Sequence, residues 1–515
     1  MLFLLAGLTV GKNAFRRFAS QPMVDSIYFP RPAGLKPIFR QSVIMPKIAT
    51  RSYRSGLVQN SAAVIDKYVM IPVLACAYAE IIQPLLMYAT ADAPIPGTSL
   101  AQRLQAITAP RPENKFFWPA LAAIAVLMVA QNWSRLTIPL HIKWLFAYLA
   151  LAAVSVSWAF KPDMSLTRFV LQAAIVTSVT LPALLASQKA DMILGLFLCF
   201  ALAVVLNVYF VLNQTPIMLE GQSIGYPGYF TFKGILGECA AMAFLLSLYQ
   251  VLHPGWRRTL AIVVAGISVY LMIVSQSKGS LGLSLLAPLL AGIVLNFTRR
   301  KRISPEFVLI PIVVGYWLVS IVVGDVINRF SYYVYGNYTL SGRTVIWDFI
   351  NYEISRHPFL GWGYQSFWLV GLDAPSVTDA PGWVKTMPSA HNGYLDVIVD
   401  TGYLGLAIFL IFMFMTLRAV GRSADQQPAR TWCLLSLALY VILQNFLESS
   451  WMHGMDMLWL IFLIVVAEAG RESQPARRVV SRPALRGRVV AGRHKGAPRA
   501  WSPPTPVARL EDGRS

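Results

Sequence analysis

The sequence predicts an all-α fold: a polytopic membrane helical bundle of about 12 transmembrane helices, with one long periplasmic loop containing short helices. Three observations predict it. Only 13% of the 515 residues are charged and 56% are hydrophobic, whereas soluble proteins carry about 25% charged residues. The charges gather at the two ends and in short connections. Between them run apolar stretches near the roughly 20 residues that a helix needs to cross a bilayer. Finally, the connections rich in Lys and Arg recur after every second stretch.

The elements follow in chain order. Residues 1–65 hold nine Lys and Arg against Asp25 and are expected to form a basic, poorly ordered cytoplasmic region. Their apolar opening, Met1 to Val10, precedes Lys12, Arg16 and Arg17, the reverse of the order in a secretory signal. Spans are expected at 67–89 (interrupted by Glu80 and Pro84), 117–133, 143–160, 167–187, 191–212, 235–252, 259–276, 279–297, 306–324, 395–418, 431–447 and 454–469, within a membrane domain covering 66–470. Residues 471–515, with eleven Lys and Arg against three acids, form a basic tail expected to be disordered and cytoplasmic.

Charge orients the bundle. Arg257 and Arg258, the run Arg299 to Arg302, the group Arg418, Arg422 and Arg430, and the C-terminal tail fall on one side of twelve spans. The positive-inside rule makes that side cytoplasmic. The basic N-terminal region agrees when 67–89 is a span, which puts both termini in the cytoplasm of a bacterial inner membrane. The connections 213–234, 276–279, 325–394 and 448–453 then face the periplasm. A net charge of +20 can signal nucleic acid, but basic tails flanking apolar spans fit anionic membrane lipid instead. No nucleic-acid partner is expected.

Some chemistries find no support. Cys76, Cys199, Cys239 and Cys433 all lie in apolar stretches without metal or disulfide spacing. There is no Gly-rich nucleotide loop, HExxH or CxxC, so chemistry driven by ATP is not expected. A transporter or flippase of lipid-linked sugars would need charges deep in the spans. Here they cluster near the outer ends. A purely structural scaffold would need no cation cluster.

The loop 325–394 is about 70 residues, too long for an idle connector. Thr344 to Arg356 reads as a helix with Ile346, Phe349, Ile350 and Ile354 on one face, lying on the membrane surface or capping the bundle. Pro358 and Gly361 end it. Asn392 suits an N-cap for the next span, with His391 tying the loop to it. On residue chemistry alone, Arg343 also suits a loop arginine paired with Asp348, and Lys233 and Lys278 suit lysines snorkelling from span ends. Glu238, inside a span, is a possible partner for either lysine. Trp347, Trp362, Tyr364, Trp368, Trp383 and Trp451 suit either sugar stacking or an interfacial belt.

The order Gly342-Arg343, Trp347, Pro358-x-x-Gly361-x-Gly363, His391-Asn392-x-x-Leu395, Gly402-x-x-Gly405 resembles the O-antigen ligase and polymerase superfamily of bacterial membrane glycosyltransferases, closest to its ExoQ-like exopolysaccharide-polymerase branch. Ser275-Gln-Ser-Lys278 is similar to that family's Ser-x-Ser-Arg/Lys element. Phe232-Lys233-Gly234 stands where the family commonly has His-Lys-Asn; Lys233 is kept and its flanking pair is not. The resemblance covers about residues 115–470. It implies an enzyme that takes a polyprenyl-diphosphate-linked glycan as donor and joins it to another lipid-linked glycan at the outer face of the inner membrane, with no cofactor and no metal.

The site residues come with the resemblance. Arg343, Lys278 and Lys233 would bind the diphosphate, an arginine fork being suited to paired phosphate oxygens. His391 would activate the acceptor hydroxyl or bond the diphosphate. On residue chemistry rather than the resemblance, Glu448 suits either orienting His391 or a sugar hydroxyl or an interfacial cap, and Asn392 and Asp396 suit supporting roles beside His391. A chain-length regulator and export machinery are further implied partners.

Overall fold

The computed structural model describes residues 67–90, 112–187, 190–214, 225–322, 333 and 343–472. The two basic ends, and most of 325–342, lie outside the described residues.

The twelve expected spans are all helical: α1 (Lys67–Ala89), α2 (Pro112–Ala130), α3 (Leu140–Ser155), α4 (Pro162–Leu185), α5 (Met192–Asn213), α6 (Lys233–Gln250), α7 (Trp256–Val274), α8 (Lys278–Lys301), α9 (Leu309–Val322), then α11 (Gly393–Gly421), α12 (Pro428–Gln444) and α13 (Met457–Glu472). The amphipathic helix α10 (Arg343–Arg356) lies between α9 and α11. No β-strand occurs among the described residues.

Eight of the twelve are long and apolar enough to cross a membrane on their own. The others are shorter or less apolar, and the surrounding bundle explains the two last ones. Leu458 through Ala467 of α13 and Leu434 through Ile442 of α12 are buried on every face. A helix enclosed by other helices is screened from lipid and water alike.

Ion pairs sort by side. Arg257 pairs with Asp191 at 2.8 Å, Arg302 with Asp425 at 3.0 Å, Arg471 with Glu468 at 2.7 Å, and Arg430 also with Glu468. The Arg257, Arg302 and Arg430 pairs each join two span ends on the basic side, while Arg471 and Glu468 lie three residues apart in α13. At the other end, Lys161 pairs with Asp373 at 2.7 Å and Arg343 with Glu448. Contacts between connections far apart in sequence thus reproduce the alternation that the charges predict.

α10 forms as expected, with Ile346, Phe349, Ile350 and Ile354 buried. They form a second apolar cluster with Phe367, Trp368, Ala390 and Val399, so the helix caps the bundle through the loop and α11.

One element departs from expectation. The span at 395–418 is not a continuous helix: α11 breaks at Gly402, where φ is 67°. The break is repaired by the loop. Tyr403 N donates to Pro358 O at 2.8 Å and Leu404 N to Phe359 O at 3.3 Å, while Val399 O and Asp400 O accept from Trp362 N and Gly363 N at 2.8 and 2.9 Å. Broken helix at membrane depth persists only where protein supplies the lost partners. A Cβ at Gly402 would strike the Phe359 carbonyl, and one at Gly361 would lie 2.5 Å from the Asp400 carbonyl carbon. The glycines of the motif are therefore docking surfaces for loop against helix.

Candidate active site

Three span ends meet on the side away from the basic connections. α6, α8 and α12 pack against one another. Lys233 begins α6, Lys278 begins α8, and Glu448 lies four residues beyond the end of α12. A Cβ on Gly237 would collide with Ser277, and one on Gly225 would lie 2.5 Å from the Ser275 carbonyl and 2.8 Å from Lys233 Cδ. Tyr226 N donates to Val274 O at 3.2 Å. Small residues thus let the segment entering α6 lie against the turn entering α8. The two ammonium groups come close enough to feel each other's charge. Gly279 approaches Leu447, at 3.8 Å from a Cβ position there, which sets the start of α8 beside Glu448.

Glu448 is the hub. Arg343 Nη2 donates to its Oε1 at 2.5 Å, and His391 Nδ1 lies 2.7 Å from its Oε2. One carboxylate therefore bridges the guanidinium at the start of α10 and the imidazole before α11. Burial pushes the Glu448 carboxyl up, but the His391 hydrogen bond and the Arg343 charge outweigh it and hold the group below its usual range. With Glu448 ionised, Nδ1 is the donor in that bond, so it is the neutral imidazole that presents a lone pair at Nε2. Arg343 is not spent on this contact. Its Nε is buried without a hydrogen-bond partner among the described residues.

Local structure fixes His391 firmly. Its φ is 48°, a left-handed conformation that non-glycine residues rarely adopt and that clusters at functional sites. The strand of chain on each side is pinned. Ala390 N donates to Asp396 Oδ1 at 3.1 Å, and Ala390 O accepts from Trp347 Nε1 at 3.0 Å. Asn392 N donates to Ser449 Oγ at 3.0 Å. Gly393 N donates to Asn445 O and Glu448 O at 2.9 and 3.1 Å, and a side chain there would strike Asn445 and Trp451.

The sequence expectations fare unevenly in geometry. Arg343, His391 and Glu448 come into direct contact, with Lys233 and Lys278 at neighbouring helix ends. Arg343 pairs with Glu448 rather than Asp348. Asn392 is the N-cap of α11, its Oδ1 accepting from Tyr394 N and Leu395 N at 3.1 and 3.3 Å. Asp396 does not touch the cluster's side chains in any hydrogen bond found. It takes Trp368 Nε1 at 2.8 Å together with Ala390 N, so it holds the loop. Glu238 accepts from Gln444 Nε2 at 2.8 Å. Tyr364, Trp368 and Trp451 are buried, so these three rings are packing, not a sugar platform.

Sequence reasoning missed Arg168 of α4. It donates to the carbonyls of Gln365, Trp368 and Leu369 at 2.5, 3.1 and 3.3 Å. Its signal was faint, because Arg168 is the second residue of the expected span 167–187, where a charge needs no buried partner; the helix starts earlier, at Pro162, and so places it six residues inside.

Fold and site together define a multi-pass helical membrane protein with a carboxylate bridging cation and imidazole at one end of the bundle. The chain is similar to the O-antigen ligase, ExoQ-like family. The family profile described as O-antigen ligase matches residues 262–410. That segment contains Lys278, Arg343 and His391; Lys233 and Glu448 fall outside it. The chain is 22% identical to the exopolysaccharide production protein ExoQ of Rhizobium meliloti over 328 residues, 59% of this chain and 72% of that protein. It is 24% identical over 253 residues to a candidate polysaccharide ligase of Rickettsia felis (46% of this chain, 61% of that one). A similar candidate ligase of Rickettsia bellii is 26% identical over 167 residues, 31% of this chain and 40% of the relative. The match thus covers 61% and 40% of the length of these two ligase relatives.

Proposed function

We propose that the protein polymerises polyprenyl-diphosphate-linked oligosaccharide repeats into an exported polysaccharide at the periplasmic face of the bacterial inner membrane. The observation that carries this reading is the Glu448 bridge between Arg343 and His391, with the Arg343 Nε unpartnered among the described residues. The reaction breaks the bond from the donor sugar's anomeric carbon to the diphosphate oxygen and forms one to an acceptor hydroxyl. Negative charge grows on the leaving diphosphate, so fixed cations in a poorly solvated site lower the barrier. We assign the reception of that charge to Arg343, Lys278 and Lys233. The acceptor hydroxyl loses its proton to His391 Nε2, and Glu448 stabilises the imidazolium that forms. Because the donor arrives activated, no nucleotide is required outside the cell.

The 328-residue match to the exopolysaccharide production protein supports the polymerase reading. A ligase that moves a finished glycan to another acceptor is the second reading, favoured by the family's description and the Rickettsia relatives. The carrier-lipid profile of a deletion strain decides between them. Accumulated single repeats are expected; accumulated long chains on the carrier would indicate the ligase.

A further inference from the structure

Beside the connection that carries Glu448 lies a cavity of about 160 Å³ between α1, the segment entering α6 and the turn entering α13. Its polar lining is Thr231 and three carboxylates: Glu80, Glu238, which accepts from Gln444, and Asp456, whose Oδ1 caps α13 by accepting from Leu458 N and Trp459 N at 2.9 and 3.2 Å; Tyr229 and Phe230 supply ring surfaces. Glu80 is only 2% exposed, and its Oε2 has no hydrogen-bond partner among the described residues. A buried acid without a partner is costly and in a membrane is kept mainly for function.

The backbone is built to hold Glu80 there. It sits in a π-helical turn, Tyr78–Ile82, inside α1, and such turns re-aim side chains at functional sites. The Tyr229 hydroxyl donates to the Glu80 carbonyl at 2.8 Å, and Tyr229 N donates to Asn207 Oδ1 at 3.2 Å. Glu238 is tied through Gln444 to the last turn of α12. Leu447 N and Glu448 N donate to the Gln444 carbonyl at 2.8 and 2.9 Å. The cavity and the Arg343, Glu448 and His391 cluster therefore share one structural element.

Size and chemistry limit the occupant. A space of about 150 Å³ holds one six-membered ring; a larger ligand needs roughly 300 Å³ or more. Carboxylates repel an anion and waste their acceptors on a lipid chain. No three of the described acids, cysteines or histidines lie close enough to share a metal ion. A ring carrying several hydroxyls or an ammonium satisfies the acceptors and lies against the aromatic faces.

Resting on the transferase reading above, we propose that this cavity is an acceptor subsite that takes one neutral or amino sugar ring, hydrogen-bonded through Glu80. Uronic acids are excluded from it.

The test uses full-length protein in lipid nanodiscs and, as probe, one repeat-unit oligosaccharide released by mild acid from the carrier lipid of the deletion strain. A membrane-permeant carbodiimide modifies buried carboxyls, and peptide mass spectrometry reads modification at Glu80. The oligosaccharide is expected to slow that modification at least about fivefold, in the wild type and in His391→Ala alike. Glu80→Gln is expected to raise the KM for the same oligosaccharide as acceptor by about tenfold, the loss falling on KM rather than kcat. An unprotected Glu80, or an unchanged KM, overturns the subsite while polymer formation by the wild type leaves the transferase reading standing. Protection in a wild-type protein that makes no polymer from lipid-linked repeats overturns both readings.

Discussion

Replacing Glu448 with Gln tests the cluster where it is most constrained. The amide keeps the shape and removes the charge. Two contacts lose their ionic partner, one to Arg343 at 2.5 Å and one to His391 at 2.7 Å. A hydrogen bond to a charged group contributes about 1.5–3 kcal/mol. Only the part that strengthens in the transition state slows the reaction. For His391 that part is large, because the imidazole becomes a cation as the proton arrives. For Arg343 it is small, because the pair exists in the resting enzyme. The expected barrier increase is about 2–3 kcal/mol, or roughly 30- to 150-fold in kcat. The assay is polymer formed per minute by purified protein from lipid-linked repeats, with membrane abundance as control. A Glu448→Gln enzyme within threefold of wild type would refute the hub role.

Four further outcomes are expected. Glu448 is held below its ordinary value in the folded protein, so its electrostatic contribution is complete above about pH 4.3 and is lost only as pH falls through the lower folded value. Its titration should not shape the activity profile between pH 5 and 8, whereas Arg343→Ala removes one stabilising charge and should shift the acid limb upward. Arg343→Lys keeps the charge but loses the planar fork and its spare Nε–H, so activity should fall at least about tenfold; equal activity would mean that a point charge suffices. Trp368→Phe deletes the Nε1–H donated to Asp396 and should lower kcat through slack in the His391 segment, with Asp396→Asn adding little in that background; full additivity would show that the two act separately. Gly402→Ala forces a left-handed residue with its Cβ against the Phe359 carbonyl and should cost about 1–2 kcal/mol or more, read as a lowered midpoint of thermal unfolding in detergent, while Gly234→Ala, with open space around it, should leave that midpoint unchanged.

The spans were readable because each is a local property: about 20 apolar residues between charges suffices, and all twelve positions are helical. The alternation of basic connections was readable for the same reason. Arg343 and His391 could be marked by motif, and Glu448 could be named as a supporting acid, but that it joins the two could not be read. Glu448 is 57 positions from His391 and 105 from Arg343, and only packing of α12 against α6 and α8 brings it to them. The break in α11 left a faint trace. Gly402 and Gly405 inside a span, with Pro358, Gly361 and Gly363 in the loop, are what a docked broken helix needs, yet pairing the two requires three dimensions. Asp396 was placed near the right partners with a different task, because an acid at the start of a helix can bond side chains or the preceding backbone equally well. Its choice of Trp368 and Ala390 follows from how the loop folds back under Arg168.

The central claim is that this bundle joins lipid-linked glycans with its own cations and imidazole. The most direct measurement is turnover by purified full-length protein in lipid nanodiscs, supplied with polyprenyl-diphosphate-linked repeats and no nucleotide. A ladder of polymer with release of the polyprenyl diphosphate is expected from the wild type, and none from Arg343→Ala or His391→Ala at equal abundance. No polymer from the wild type, or a full ladder from either variant, would contradict it.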